Sequence, residues 1–270
     1  MGYVGGTPVP GCVFCNALAS NDDVTSLIVH RGEHAFVILN LYPYNTGHLM
    51  VVPNDHVSDL AALSSIARAE IAELTASFCT GLRRVMGCDG LNVGMNLGSA
   101  AGAGIADHLH QHIVPRWIGD ANFMPIVGGT KVLPELLPAT YAKIRTEVAR
   151  QKSAADSVVL VLMVPDRSGV FLAAHSLPRL SLADGVSVWM TFVNTIASRA
   201  AACELLGWGG ATSTESDATE SPALAMTFAP RAEDRASYRV CSIEKAVSLL
   251  PNDDRVLLST ALSRFTGSTS

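Results

Sequence analysis

The chain has 270 residues, close to half of them apolar, and a formal net charge of -5. This length suits one large domain or two small ones with a real core, and the composition excludes a disordered chain. The acidic balance leaves no basic footprint for binding nucleic acid through its phosphates. The first residues, "MGYVGGTPVPGCVFC", hold no basic region and no apolar stretch ahead of a cleavage site, so no secretory signal is expected. The longest apolar run, "SVVLVLMVP" (157–165), is too short to span a bilayer and reads as a buried strand. Six cysteines are scattered through the chain and only Cys12 and Cys15 form a tight pair. That usage points to a reducing cytoplasm and one candidate metal site, not a disulfide framework.

After the cysteine pair come two short apolar runs, "SLIVH" (26–30) and "AFVILN" (35–40), separated by "RGEH" as by a hairpin turn. "LYPYNTG" (41–47) supplies turn formers, and "HLMVVP" (48–53) reads as a third strand stopped by Pro53. From Ser58 to Met86 the period changes. Leu60, Leu63, Ala67, Ile71, Leu74, Phe78, Leu82 and Val85 recur every three or four residues, which makes one apolar stripe on a long helix. Ser58 and Asp59 suit its start, and Gly87 its C-terminal cap. "GLNVGMNLG" (90–98) predicts another strand, followed by the small-residue loop "SAAGAGIAD" (99–107).

"HLHQHIVPRW" (108–117) then places three of the chain's eight histidines at every second position. On an extended strand His108, His110 and His112 face one way, while Leu109 and Gln111 face the other. Histidine is a poor core residue, because burial obliges both ring nitrogens to find partners. Such a row can hold a metal, pass protons, or supply a nucleophile with its supporting groups.

"LPELLPATYAKIRTEVARQ" (133–151) predicts a helix and "KSAAD" (152–156) a linker, which sets expected domains at 1–151 and 152–270. Beyond it stand strands at "SVVLVLMV" and "GVFLAAHS", a helix over 181–206, and a mobile polar loop over 209–222. "ALAMTFAP" and "SYRVCSI" complete the strands, and "DDRVLLSTALSRF" the last helix. The overall class is α+β. Both halves read strand, strand, long helix, strand, strand, so a degenerate internal duplication and a chance likeness both account for the pattern. No histidine row recurs in the second half, and His175 there reads as structural.

"GHLMVVPNDH" followed some fifty residues later by "HLHQHIVP" resembles the histidine triad (HIT) superfamily of nucleotidyl hydrolases and transferases. The extended "HQHIVPRWIGDANFMP" is most similar to its bacterial diadenosine tetraphosphate phosphorylase branch. The resemblance covers residues 12 to 150 and departs from the triad pattern once, at Gln111. It implies an antiparallel sheet with a long helix, with the C-terminal α+β region either a degenerate second unit of that kind or unrelated. It also implies covalent catalysis, in which His110 attacks the α-phosphorus and forms a nucleotidyl-histidine. His112 would lie against the phosphate and leaving group, offsetting charge when protonated, and His48 would support the triad from behind. Asn40 matches a ribose-binding position, Asn96 a phosphate-facing one, and Gly104 lies in the phosphate loop. That loop departs from the family, with Ala103, Gly104 and Ile105 where polar residues are common. Trp117 either stacks on a base or covers the core.

Some members of that superfamily bind structural zinc through such a cysteine pair and two histidines. The matching positions here are Cys12, Cys15, His56 and His108, a donor set suited to a closed tetrahedral Zn²⁺ site. Asp107 is adjacent to the row but points to the opposite face. The reading is therefore a nucleotide-cleaving enzyme with zinc, no organic cofactor, a homodimeric assembly, and neither nucleic acid nor membrane as partner. Its expected substrate is a dinucleoside polyphosphate, with phosphoramidates or other AMP conjugates as the alternative. A nucleotide-binding scaffold without turnover is the alternative from another class.

Overall fold

Strands form where apolar runs alternate with turn signals. In the computed structural model, which describes residues 10–120, 135–153, 157–173, 176–182, 188–208, 212–214, 217–220 and 223–265, the chain divides into two compact units, Met1–Pro134 and Glu135–Ser270. The division falls ahead of the expected boundary after residue 151. The helix expected to close the first unit, Leu137–Ser153, packs on strands of the second.

The first unit opens with helix α1 (Val13–Ala19) and a single turn, α2 (Asp23–Ser26). Strands β1 (Ile28–Arg31), β2 (Ala35–Leu39) and β3 (Leu49–Pro53) follow, each antiparallel to the one before. Helix α3 (Ser65–Met86) crosses over, and β4 (Gly90–Met95) and β5 (Gln111–Arg116) complete an antiparallel sheet of order β1-β2-β3-β5-β4. Every residue of β2 and β3 is buried because both faces of the sheet are covered. On one face Phe36, Ile38, Met50 and Val52 pack with Ile28 and with Phe14 of α1. On the other lies α3, whose Ala67, Ile71, Phe78, Leu82 and Val85 are buried, as the apolar stripe predicts.

The start of α3 differs from expectation. Asp59 accepts a hydrogen bond from Ala61 N–H (2.8 Å) and caps a three-residue 3₁₀ turn, Leu60–Ala62. The helix proper begins after Ser64, whose Oγ accepts from Ala67 N–H (3.1 Å). It ends as expected at Gly87, whose φ of 60° is the left-handed conformation that suits a residue without Cβ. Glu70 of α3 accepts hydrogen bonds from the N–H groups of Glu33 and His34 (2.9 and 2.7 Å), which fastens the β1–β2 turn to the helix.

The second unit comprises α4 (Leu137–Ser153), β6 (Ser157–Met163), β7 (Gly169–Leu172), β8 (Arg179–Ser181), α5 (Val188–Thr195) and β9 (Ala200–Trp208). A small hairpin of β10 (Thr212–Thr214) and β11 (Asp217–Glu220) lies in the stretch read as a mobile loop. β12 (Ala223–Pro230), β13 (Arg239–Ser242), α6 (Ile243–Leu249) and α7 (Asn252–Phe265) follow. The expected helix over 181–206 is corrected: α5 covers eight residues and β9 is a strand paired with β12 along its length. "AACELL" is helix-prone by composition, but pairing with the buried β12 overrides that weak preference.

The sheet order is β13-β7-β6-β12-β9, with β6 and β12 parallel. Among the described residues the first sheet has no parallel pair and the helix between β8 and β9 covers eight residues, so the strand order of the second unit differs from that of the first. His175 and residues 154–156 of the expected linker lie outside the described residues. No helix among the described residues is long and apolar enough to cross a membrane.

Candidate active site and adjoining metal centre

Register decides which face carries the histidines. Met50 of β3 stands opposite His112 of β5, and Val51 opposite Gln111. His112 therefore shares the face of Met50 and Phe14, away from α3, and the period-2 reading carries His110 and His108 to the same side. The strand proper begins only at Gln111, but the segment before it is held in place because Leu109 N–H donates to Val57 O (2.6 Å). Rings confirm the row: Phe14 touches both His108 and His110 (centroids 5.4 and 5.1 Å), and His110 touches His112 (4.9 Å). All three histidines and His48 are buried.

Gln111 faces the other way. Its Nε2 donates to Thr75 Oγ1 of α3 (2.5 Å), and Thr75 in turn donates to Ile71 O (2.6 Å). The one polar intrusion into the apolar half of the triad pattern is thus satisfied by a polar residue on the facing helix.

Hydrogen bonds to groups of fixed polarity set the tautomers. His110 Nδ1 lies 2.8 Å from His108 O, and a carbonyl can only accept. His110 therefore carries its proton on Nδ1 and keeps a lone pair on Nε2. Tyr44 N–H donates to His48 Nδ1 (3.0 Å), so His48 is protonated on Nε2. That nitrogen lies 2.9 Å from His112 Nδ1, which must accept. The proton of a neutral His112 consequently sits on Nε2, which is buried and has no hydrogen-bond partner among the described residues. A nitrogen lone pair and an N–H donor thus stand side by side on adjacent rings.

Burial first, and the neighbouring His110 second, push the His112 pKa down from 6.5 to about 4. This shift favours the neutral His112, the form in which Nε2 carries the donor proton, when no anion lies beside it. Between these two values the unfolded chain binds a proton that the folded chain does not, so stability is complete above pH 6.5 and is lost as pH falls toward 4. At roughly 1.4 kcal/mol per pH unit this amounts to about 3 kcal/mol. Denaturant titrations at neutral pH and near pH 5 should show His112→Asn losing about 2 kcal/mol less on acidification than the parent chain. Equal losses in both would refute the assignment.

The remaining sequence-predicted residues fall in different places. Asn40, just past β2, sets Nδ2 3.2 Å from His48 Nδ1 and accepts from Tyr42 N–H through Oδ1 (2.9 Å). Asn96 follows Met95, the register partner of Gln111, so the chain delivers it beside His110. Gly104 is exposed and a Cβ there would meet nothing within 4 Å, so packing does not demand a glycine. Ile105 turns inward against the Phe14 cluster. Trp117 follows the last residue of β5, five residues beyond His112, or roughly 15 Å at the rise of a strand.

Tyr44 was missed in the sequence. Its ring lies against His48 and His112 (centroids 4.6 and 5.4 Å). Its place in the turn four residues before His48 was the available signal.

At the other end of the row, four donors converge. Cys12 caps the start of α1 and Cys15 stands one turn on, so both thiols share a side. Cys12 Sγ lies 3.3 Å from His108 Nδ1, Cys15 Sγ 3.3 Å from His56 Nδ1 and 3.6 Å from His108 Nδ1, and the two Nδ1 atoms are 3.2 Å apart. Edges of a tetrahedron of nitrogen and sulfur around zinc measure about 3.3–3.8 Å, from bond lengths near 2.0 and 2.3 Å. The donor set fits. His108 Nε2 donates to Pro53 O (3.0 Å), which leaves Nδ1 as the lone-pair nitrogen aimed at the thiols. Burial is the first cause that holds the His108 pKa below the usual histidine value. Asp107, exposed, takes no part in this cluster.

Fold and site together define a protein organised around a histidine row on an antiparallel sheet. The HIT domain family model matches residues 21–117. AP-4-A phosphorylase of Mycobacterium tuberculosis is 50% identical over 129 residues, 48% of this chain and 66% of that protein, a little under two thirds of its length. An uncharacterised HIT-like protein of Methanocaldococcus jannaschii is 30% identical over 117 residues, 41% of this chain and 83% of the relative. Among solved structures, a Zn-bound histidine triad family protein from Mycobacterium smegmatis is 27% identical, covering 53% of this chain and 97% of that one, with a TM-score of 0.43. The chain belongs to the histidine triad (HIT) superfamily, near the diadenosine tetraphosphate phosphorylase branch.

Proposed function

We propose that this chain cleaves a dinucleoside polyphosphate, diadenosine tetraphosphate first among them, by adenylyl transfer through His110. The observation that carries the reading is the pairing of tautomers: His110 offers a lone pair on Nε2 while the adjacent His112 offers N–H. In the first step His110 Nε2 forms a bond to the α-phosphorus and the bond from phosphorus to the bridging oxygen breaks. The departing ATP oxygen takes the electron pair and is met by the His112 Nε2–H donor. In the second step an oxygen of inorganic phosphate displaces His110 and yields ADP, or water does so and yields AMP. An anionic substrate beside His112 raises its pKa, so the donor can become an acid in the complex.

Asn40 would hold ribose hydroxyls, and Asn96 and the N–H of Gly104 the phosphate oxygens. Trp117, on the side of His112 away from His110, would meet the distal part of the substrate. Cys12, Cys15, His56 and His108 would hold zinc, which when bound clips α1 to the sheet as a closed structural site. The exposed Val93 on edge strand β4 supports a homodimer joined along that edge. The inward turn of Ile105 favours a second reading, a shorter AMP conjugate such as a phosphoramidate, which needs less grip on phosphate.

The test is product analysis on diadenosine tetraphosphate with and without inorganic phosphate. ADP and ATP formed only with phosphate are expected; AMP and ATP without phosphate mean hydrolysis by the same route. Turnover confined to phosphoramidates selects the second reading. Nucleotide binding with no product from any of these substrates overturns both and leaves a binding protein.

A further inference from the structure

The turn between β2 and β3 is held at both ends. Its Tyr44 N–H fixes the proton of His48, and the Tyr44 ring lies over the His48 and His112 rings. Next to it, Asn45 Nδ2 donates to Pro115 O (3.1 Å) and to Asp120 Oδ2 (3.0 Å). Asp120 in turn receives both Nε and Nη2 of Arg116 (2.7 and 2.6 Å) and the N–H of Trp117 (3.1 Å). Asn45 Oδ1 accepts from Thr46 N–H (3.1 Å), so its amide orientation is fixed. Directed hydrogen bonds thus hold the turn to the residues around the end of β5 through Asn45, and the adjoining Tyr44 N–H, by way of His48, sets the one N–H that His112 presents to the site. Tyr44 is 49% exposed, which leaves its outer surface open to a substrate while the inner surface touches the rings.

We propose that Tyr44, anchored through Asn45 to Asp120, is the positioning residue that aims the His112 Nε2–H donor at the leaving group. The inference rests on the adenylyl-transfer reading of the site. Its chemistry is specific to one bond. His112 meets the oxygen that departs, so a misaimed donor slows expulsion of a basic leaving group and scarcely affects one that departs unaided. The Tyr44 ring, packed against His48 and His112, does this work, and the main-chain N–H keeps the His48 tautomer.

The experiment compares the parent chain, Tyr44→Phe, Tyr44→Ala and Asp120→Ala on AMP esters whose leaving groups span a wide pKa range. Tyr44→Ala should lower kcat by about 10-fold or more on the most basic leaving group, within the usual range for acid–base help. It should change kcat little on an aryl ester such as p-nitrophenyl-AMP, with KM nearly constant throughout. Tyr44→Phe should behave as the parent chain. Asp120→Ala should share the leaving-group dependence of Tyr44→Ala if it folds; Tyr44→Ala, altered at a half-exposed turn, decides the matter if it does not.

A readout without turnover accompanies this: ¹⁵N shifts should show His48 and His112 protonated on Nε2 in the parent chain and in Tyr44→Ala, which keeps the main-chain N–H, while the His112 ring signals, sharp in the parent chain, should broaden in Tyr44→Ala as that ring loses its neighbour. Equal loss on all leaving groups, no loss at all, or a defect in Tyr44→Phe equal to that of Tyr44→Ala would overturn the proposal. If no ester is cleaved by the parent chain, the adenylyl-transfer reading fails instead, and His112 ring signals as sharp in Tyr44→Ala as in the parent chain would still overturn the positioning role.

Discussion

His110→Ala is expected to lose turnover by roughly 10⁴-fold or more, the scale seen when a nucleophile is removed, while the fold and nucleotide binding persist. Binding survives because the groups proposed to hold ribose and phosphate, Asn40, Asn96 and the loop at Gly104, are untouched. The fold survives because His110 contributes one ring beside Phe14 and His112 and one hydrogen bond to a carbonyl in its own segment. A sharper form separates nucleophile from general base. His110→Gly leaves an imidazole-sized space, so adenosine 5′-phosphoroimidazolidate, which brings its own imidazole on phosphorus, should transfer AMP to phosphate in that variant. Diadenosine tetraphosphate should remain inert with it. Retention of more than a few per cent of turnover in His110→Ala, measured against the 10⁴ scale, would show that the imidazole assists some other nucleophile.

The residues that make this reading available were legible in the sequence for a definite reason. A period of two in His108, His110 and His112 survives any detail of strand ends, so their shared face holds even though β5 begins only at Gln111. The apolar stripe of α3 was equally robust, but its cap was not. Ser58 and Asp59 suited its start, but Asp59 caps a 3₁₀ turn and the helix itself begins after Ser64. Gln111 looked like a flaw in the triad pattern, and its partner Thr75 stands 36 positions away on α3. Such a pairing is set by how the helix crosses the sheet, which no local pattern reports. β9 failed for the opposite reason: its local composition favours helix, and the strand exists because β12 offers an edge.

The proposed metal clip predicts that stability and catalysis fall together, because His108 serves both. Its Nδ1 faces the two thiols and His56, its Nε2–H is tied to Pro53 O, and its carbonyl holds the proton of His110 on Nδ1. Cys12, Cys15, His56 and His108 come from three separate segments, so a metal shared among them ties α1 and the stretch after β3 to the nucleophile strand. The purified protein is expected to carry about one zinc per chain, as a closed four-ligand site requires. Removing it by chelation, or by Cys15→Ala, leaves the remaining donors without the ion that links them, and α1 loses its anchor to the sheet.

A loss of about 3 kcal/mol, modest beside the apparent metal-binding energies of small zinc domains, lowers the thermal midpoint by about 10 °C for a unit of this size. The kcat for adenylyl transfer should drop along with it, since a His108 free to shift no longer fixes the His110 tautomer. A substitution such as Val13→Ala, on the partly exposed side of α1, should leave both unchanged. Full stability and rate in a zinc-free Cys15→Ala chain would separate the cysteine cluster from the active site and return the pair to being two thiols near a terminus.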